Sequence, residues 1–270
     1  MLKQRLITAL FGIPVISAVI WFEGPLPWFT ILAAVWSVLA VYEFYRIVGV
    51  SRILPLVCFG LVWSLFFIIS PHFDYALLLP LLLTTAIALP AILVVFLPRK
   101  QDALHNWAWT IAGILYVGWL ASYLVGIRLE AGRNWLFFVF FVTFASDSAA
   151  YFTGRLCGRH RLAPLVSPKK TWEGAVGGIV GAVIVSLLFT LPTPLQVVMG
   201  YGQVVLLGLL VSVFGQIGDL TESLLKRNMS VKDSGRMVPG HGGLLDRMDS
   251  LIFAGIVVYY YLLVCHGGVL

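Results

Sequence analysis

Apolar residues run along this chain in long blocks, separated by short clusters of charge. The blocks cover about Leu6 to Phe22, Leu26 to Val48, Ile53 to Ile69, Tyr75 to Leu97, Trp107 to Gly126, Trp135 to Gly154, Gly174 to Leu191, Val204 to Leu225 and Leu251 to Val264. Most are close to the roughly 20 residues that a helix needs to cross the hydrocarbon core of a bilayer. None has the alternating pattern of about ten residues that marks a membrane β-strand. The pattern predicts an all-α, polytopic integral membrane bundle of about nine transmembrane helices. Pro80 and Pro90 fall inside the fourth block, where neighbouring helices tolerate a kink. The first block follows Lys3 and Arg5, but no small-x-small cleavage site precedes Glu23. It therefore reads as a retained span rather than a cleaved signal peptide.

Composition supports this class. The chain is 60% hydrophobic, against about 45–50% for a soluble domain. The formal net charge of +6 does not point to nucleic acid, because the cations sit in short loops between apolar spans. With the N-terminus cytoplasmic, only Arg128 and Arg133 of the 18 Lys and Arg fall outside. That asymmetry is the positive-inside pattern, and it puts the C-terminus outside. The loops are too short for a separate soluble domain, and no internal repeat of the transporter kind is visible. Residues 1–130 read as N-terminal, lipid-facing scaffold helices. Residues 131–270 read as a second transmembrane region that carries the candidate chemistry, with cytoplasmic loops 155–173 and 226–247. Cys58, Cys157 and Cys265 lie far apart and form no zinc or disulfide framework.

Charge in this chain is scarce, at 11%, and much of it lies in residues 219–249. Acids beside lipid are costly and are rarely kept without a partner or a task. Asp147, Tyr151, Gly154 and Arg155 share one helical face on the sixth span, and Asp219, Glu222, Ser223 and Lys226 share one on the eighth. Asp246 and Asp249 stand three apart where the ninth span begins. All four aspartates are thereby expected at one depth, near the inner interface. Blander readings stand beside these. Asp249 next to Ser250 also suits a helix cap, and Asp246 suits an acid favoured by the helix dipole. Glu43 and Arg46 read as a surface pair at i, i+3. Lys169 and Lys170 suit ordinary positive-inside charge. His72, His105, His160 and His266 are isolated and are given no role.

Carboxylates bind Mg²⁺, usually through one or two groups together with substrate phosphates. Lys and Arg hold phosphate oxygens, and glycine-rich turns let backbone N–H groups approach an anion. Gathered at an inner interface, these suggest phosphoryl or nucleotidyl transfer at the membrane surface. No P-loop pattern is present. The HExxH and GxSxG patterns are also missing, which argues against a zincin and a serine lipase.

The run from Ser223-Leu-Leu-Lys226-Arg227 through Lys232-Asp233-Ser234-Gly235-Arg236, then Pro239-Gly240-His241-Gly242-Gly243-Leu-Leu-Asp246-Arg247-Met-Asp249, resembles the signature of phosphatidate cytidylyltransferases (CDP-diacylglycerol synthases). Ser167-Pro168-Lys169-Lys170-Thr171-Trp172-Glu173-Gly174 and the Asp147, Tyr151, Gly154 set are similar to the same family. The match covers about residues 145–250; the N-terminal spans resemble the family only in length and hydrophobicity.

The resemblance implies that CTP and phosphatidate give CDP-diacylglycerol and pyrophosphate with Mg²⁺, in a phospholipid biosynthesis step on the cytoplasmic face of the inner membrane. The phosphate monoester nucleophile has a second pKa near 6 and needs no strong base. Asp219, Asp246, Lys226 and Arg247 are then the expected catalytic groups. Asp219 and Asp246 are the expected metal ligands, with Asp249 and Asp147 behind them and a second metal ion left open. Ser223, Lys226, Arg227, Lys232, Asp233, Arg236, His241, Gly242 and Gly243 are assigned to CTP. Ser167, Lys169, Lys170, Thr171, Glu173 and Arg247 are assigned to phosphatidate. Two rivals remain open at this point. One is a CTP-dependent polyprenol kinase using His241 or an Asp as base. The other is an anion transporter with Asp147 and Asp219 as ion sites. The Gly174–Gly181 run leaves packing within a chain and in a homodimer equally open.

Overall fold

The computed structural model describes residues 2–22, 24, 26–73, 75–96, 102–235 and 242–265, without the side chains of residues 2–9, 75 and 76. Ten α-helices account for most of them: α1 (Leu2–Trp21), α2 (Trp28–Val48), α3 (Leu54–Ile69), α4 (Tyr75–Phe96), α5 (Ala103–Gly113), α6 (Leu120–Gly126), α7 (Arg133–Cys157), α8 (Trp172–Leu188), α9 (Tyr201–Asn228) and α10 (Leu245–Cys265). The stretches Ile114–Trp119 and Ile127–Ala131 are π-helical, so α5 and α6 form one continuous rod, Ala103–Ala131. Among the described residues, seven helices are long and apolar enough to cross a membrane. Leu10–Trp21 and Trp172–Leu188 are apolar but shorter. These two stand where the first and seventh of the nine predicted spans fall.

The chain divides into two compact units. The first comprises Met1–Leu129 with Met229–Asp246, and the second comprises Glu130–Asn228 with Arg247–Leu270. In the first unit, α2 buries Phe29, Ala33, Ser37, Ala40, Val41, Phe44 and Val48. That spacing of three and four is the stripe a packed helix presents to its neighbours. Gly49, at φ 84°, ends the helix, a backbone region that glycine enters at little steric cost. Tyr45 is fully buried and donates its hydroxyl to the Thr110 carbonyl at 2.8 Å. Its ring lies against Gly60 of α3 and Gly113 of α5, where any Cβ would collide with it.

In the second unit, α7 and α8 pack through small residues. A Cβ at Gly177 would collide with Thr153, and one at Gly181 would collide with Ala149. The Gly174–Gly181 run is thus used inside the chain. Between these helices lies a departure from the all-helical expectation. Residues 161–163 (β1) and Ser167–Thr171 (β2) form an antiparallel hairpin, with Arg161 opposite Thr171 and Ala163 opposite Ser167. The predicted loop has this shape because Trp172 N–H donates to the His160 carbonyl at 3.0 Å, closing the hairpin where α8 starts. Thr171 then caps α8, accepting the Gly174 N–H at 3.1 Å. A threonine at this position satisfies one of the orphan donors of a helix N-terminus.

Candidate active site

The second unit places most of the expected charged groups together. Asp147 stands on α7, Asp219 on α9 and Asp249 on α10. Asp147 feels the charges of Asp219, Lys170 and Arg247, and Asp249 feels those of Asp219, Asp147 and Lys226. Three carboxylates and three cations therefore act on one another, though they come from four separate elements. Lys170 of β2 forms an ion pair with Asp219, Nζ to Oδ2, at 2.8 Å. Its ammonium also donates to the Gln216 carbonyl at 3.4 Å. Ser223, one turn beyond Asp219, donates to Asp219 Oδ1 at 3.3 Å.

Two glycines and a polar ladder allow this convergence. A Cβ at Gly218 would lie 2.5 Å from the Asp249 carbonyl oxygen, so glycine lets α9 and α10 approach beside Asp219. A Cβ at Gly178 would lie 3.0 Å from Gln216 Nε2. That amide donates to the Ala175 carbonyl at 3.2 Å and to Ser212 Oγ at 3.0 Å. Ser212 in turn shares a hydrogen bond of 2.7 Å with Ser146 of α7. The ladder joins α7, α8 and α9, with Ser146 next to Asp147 and Gln216 one turn before Asp219. Gln216 was given no role in the sequence; a polar side chain inside an apolar span was the available signal.

Several residues have structural work besides any contact with substrate. Lys226, half-buried, forms an ion pair with the buried Glu222 one turn before it on α9. Arg227 donates from Nε to the Val166 carbonyl at 3.2 Å, tying α9 to the hairpin turn. Glu173, assigned to phosphatidate, accepts from the N–H of Arg159 at 3.1 Å and of His160 at 3.3 Å, and pairs with His160 Nδ1 at 2.7 Å. Its own backbone N–H, then the His160 side chain, hold its pKa down to about 2. His160, set aside in the sequence, is therefore a partner of the hairpin. Lys169 is exposed, Ser167 starts β2, and the capping residue Thr171 is buried.

The first unit carries the other assigned residues. Lys232 and Asp233 are exposed, and Gly242 has a φ of 88°. Asp246 Oδ2 accepts the N–H of Gly243 at 2.9 Å and of Ser234 at 3.1 Å. Arg236 and His241 lie outside the described residues. Two readings need correction. Asp249 does not cap the last helix: α10 starts at Leu245, and Asp249 lies buried within it. Glu43 is not a surface partner of Arg46. Its side chain is fully buried, and Oε2 accepts from Leu245 N–H at 3.0 Å and Ser234 Oγ at 3.3 Å.

Among the described residues, no group of three His, Cys, Asp or Glu side chains is arranged to hold a metal ion by itself. The carboxylate set still suits Mg²⁺, a hard cation that takes one or two carboxylates and completes its shell with water and phosphate oxygens.

The chain belongs to the cytidylyltransferase family, whose model matches residues 3–265. It is 33% identical to the phosphatidate cytidylyltransferase of Bacillus subtilis over 97% of both chains. It is 44% identical to the phosphatidate cytidylyltransferase of Brucella suis, over 57% of this chain and 56% of that one. An uncharacterised Escherichia coli protein, YnbB, is 39% identical over 63% of this chain and 56% of its own.

Proposed function

We propose that this protein transfers the cytidylyl group of CTP to phosphatidate, giving CDP-diacylglycerol and pyrophosphate. The reading is carried by the Asp219–Lys170 ion pair, set among Asp147, Asp249, Lys226 and Arg247 in a chain of this family. A phosphatidate oxygen attacks the α-phosphorus of CTP, and the bond from that phosphorus to the bridging oxygen of the β-phosphate breaks. The two electrons leave with pyrophosphate. The nucleophile is largely dianionic at neutral pH, so no side chain has to remove a proton.

The task left to the protein is to bring anions together. Lys170 and Arg247, near the acids, receive the phosphatidate headgroup. Lys226 and Arg227, at the end of α9, and the segment that begins at Lys232 are assigned to CTP. Asp219, with Asp249 and Asp147 behind it, would hold Mg²⁺; Asp246, one turn before Asp249 on α10, is a candidate ligand by its register. When bound, the ion offsets charge on the phosphates and on the departing pyrophosphate. The excess of Lys and Arg in alternate loops supports a site facing the cytoplasm, in the inner membrane.

The test uses purified protein in detergent with phosphatidate, Mg²⁺ and CTP labelled in the cytidine. Label entering the lipid phase, with pyrophosphate released and both lost on adding EDTA, is the expected result. Release of CDP on supplying a polyprenol, with no label in lipid, would replace this reading with a CTP-dependent kinase.

A further inference from the structure

Glu43 stands near the end of α2 in a helix that is otherwise almost wholly apolar, and its side chain has no exposure. A buried carboxylate is expensive unless its oxygens are engaged. Oε2 takes the N–H of Leu245 and the hydroxyl of Ser234. Among the described residues, Oε1 has no hydrogen-bond partner. It faces Gly235, where a Cβ would collide with it, and a Cβ at Gly243 would lie 2.6 Å from Oε2. The backbone on both sides of residues 236–241 is therefore pressed directly onto this carboxylate.

A second carboxylate works on the same two flanks. Asp246 Oδ2 accepts the N–H groups of Ser234 and Gly243. The flanks are thus drawn together twice, once from α10 and once from α2, about 200 residues earlier in the chain. Leu245 is the first residue of α10. Its N–H is one of the donors that a helix leaves unsatisfied, and a negative charge there is favoured by the helix dipole.

We infer that Glu43 is a positioning residue for the glycine-rich segment: by clasping Ser234 and Leu245 it sets the backbone that receives CTP. The inference rests on the activity proposed above. Glu43 touches no reacting atom. It acts on the affinity for the nucleotide, because the segment it holds carries Lys232, Asp233, Gly242 and Gly243.

The experiment compares the wild type with Glu43→Ala and Glu43→Gln, each checked as monodisperse in detergent. Hydrogen exchange is followed without substrates in the peptide covering residues 242–248, and KM is measured for both substrates. In Glu43→Ala, exchange and KM for CTP are both expected to rise about tenfold or more, on losing the two buried hydrogen bonds that Oε2 accepts. KM for phosphatidate should stay within about twofold, and Glu43→Gln, which keeps an acceptor oxygen, should recover most of the loss. Unchanged exchange in Glu43→Ala, or an equal rise of KM for both substrates, would overturn the inference. If Glu43→Ala does not fold, the Glu43→Gln/Ser234→Ala double variant takes its place under the same outcomes. The exchange arm needs no substrate, so it judges the clasp even if the wild type transfers no cytidylyl group.

Discussion

Lys170 Nζ lies 2.8 Å from Asp219 Oδ2, joining a hairpin strand to the polar end of an apolar helix. The side chains are 23% and 37% exposed, so the attraction itself adds little stability, on the order of 0–1 kcal/mol. Its importance lies in placement: the pair fixes a cation of the hairpin beside an acid of α9, the arrangement on which the proposed reaction rests.

That placement predicts a non-additive pair of variants. Asp219→Asn should lower kcat by about 100-fold at saturating Mg²⁺, as expected on losing a group that stabilises charge in the transition state. Lys170→Ala should also lower activity, and the double variant should lose little more than Asp219→Asn alone, because contacting residues couple. Steady-state kinetics on the four proteins checks this. Full additivity would mean that the two side chains act separately.

Glu222 and Lys226 form an ion pair on α9 with side chains 1% and 12% exposed. Removing Glu222 takes this carboxylate away from a Lys226 ammonium that is largely out of solvent. Glu222→Ala should therefore destabilise the protein by about 3–5 kcal/mol, whereas Glu222→Leu with Lys226→Met should cost much less. Thermal midpoints in detergent would show it, and equal midpoints for the two variants would refute it.

Gly218 keeps α9 close to α10 beside the acids. A methyl group there would lie 2.5 Å from the Asp249 carbonyl and 2.8 Å from the Phe253 ring. Gly218→Ala should lower stability by about 1–3 kcal/mol, the usual penalty of overpacking. Activity should fall further than stability does, because Asp219 and Asp249 move apart. A variant with wild-type melting and wild-type turnover would show that the contact relaxes without consequence.

The His160–Glu173 pair makes a pH-dependent contribution to the hairpin. Glu173 stands ahead of the apolar run of α8, and its folded pKa of about 2 lies below the ordinary carboxylate value of 4.5. The contribution is therefore complete above about 4.5 and is lost as pH falls from there toward about 2. Thermal midpoints should fall through this window more steeply in the wild type than in Glu173→Gln. Parallel curves for the two proteins would remove the carboxylate from the account.

Most of the architecture is readable in the sequence because lipid imposes a simple rule: about 20 apolar residues per crossing. The acids on α7 and α9 are readable for the same reason, since an aspartate in an apolar run stands out. Asp249 and the start of α10 are harder. The polar cluster Asp246, Arg247, Asp249 and Ser250 looks like loop, so the helix reads as starting at Leu251. Its true start at Leu245 depends on an acceptor supplied by α2, which no local pattern reveals. Glu43 is misread for the complementary reason. With Arg46 one turn away, it fits a surface pair, and its actual partners are about 200 residues away. The hairpin at 161–171 depends on short pairings closed by the first residue of α8, too local and too brief for periodicity to register.

The division of the chain has a practical consequence. The polypeptide leaves the second unit after Asn228, supplies residues 229–246 to the first, and returns at Arg247. Each unit is therefore made of two separate stretches of sequence. A gene cut near residue 130 would leave the upstream fragment without residues 229–246 of its unit, while the downstream fragment would carry both stretches of the second unit but begin its last helix without the carboxylate that clasps it. Expression of the upstream half by itself should give a chain with an unfinished core, because residues 229–246 of its unit are encoded only downstream.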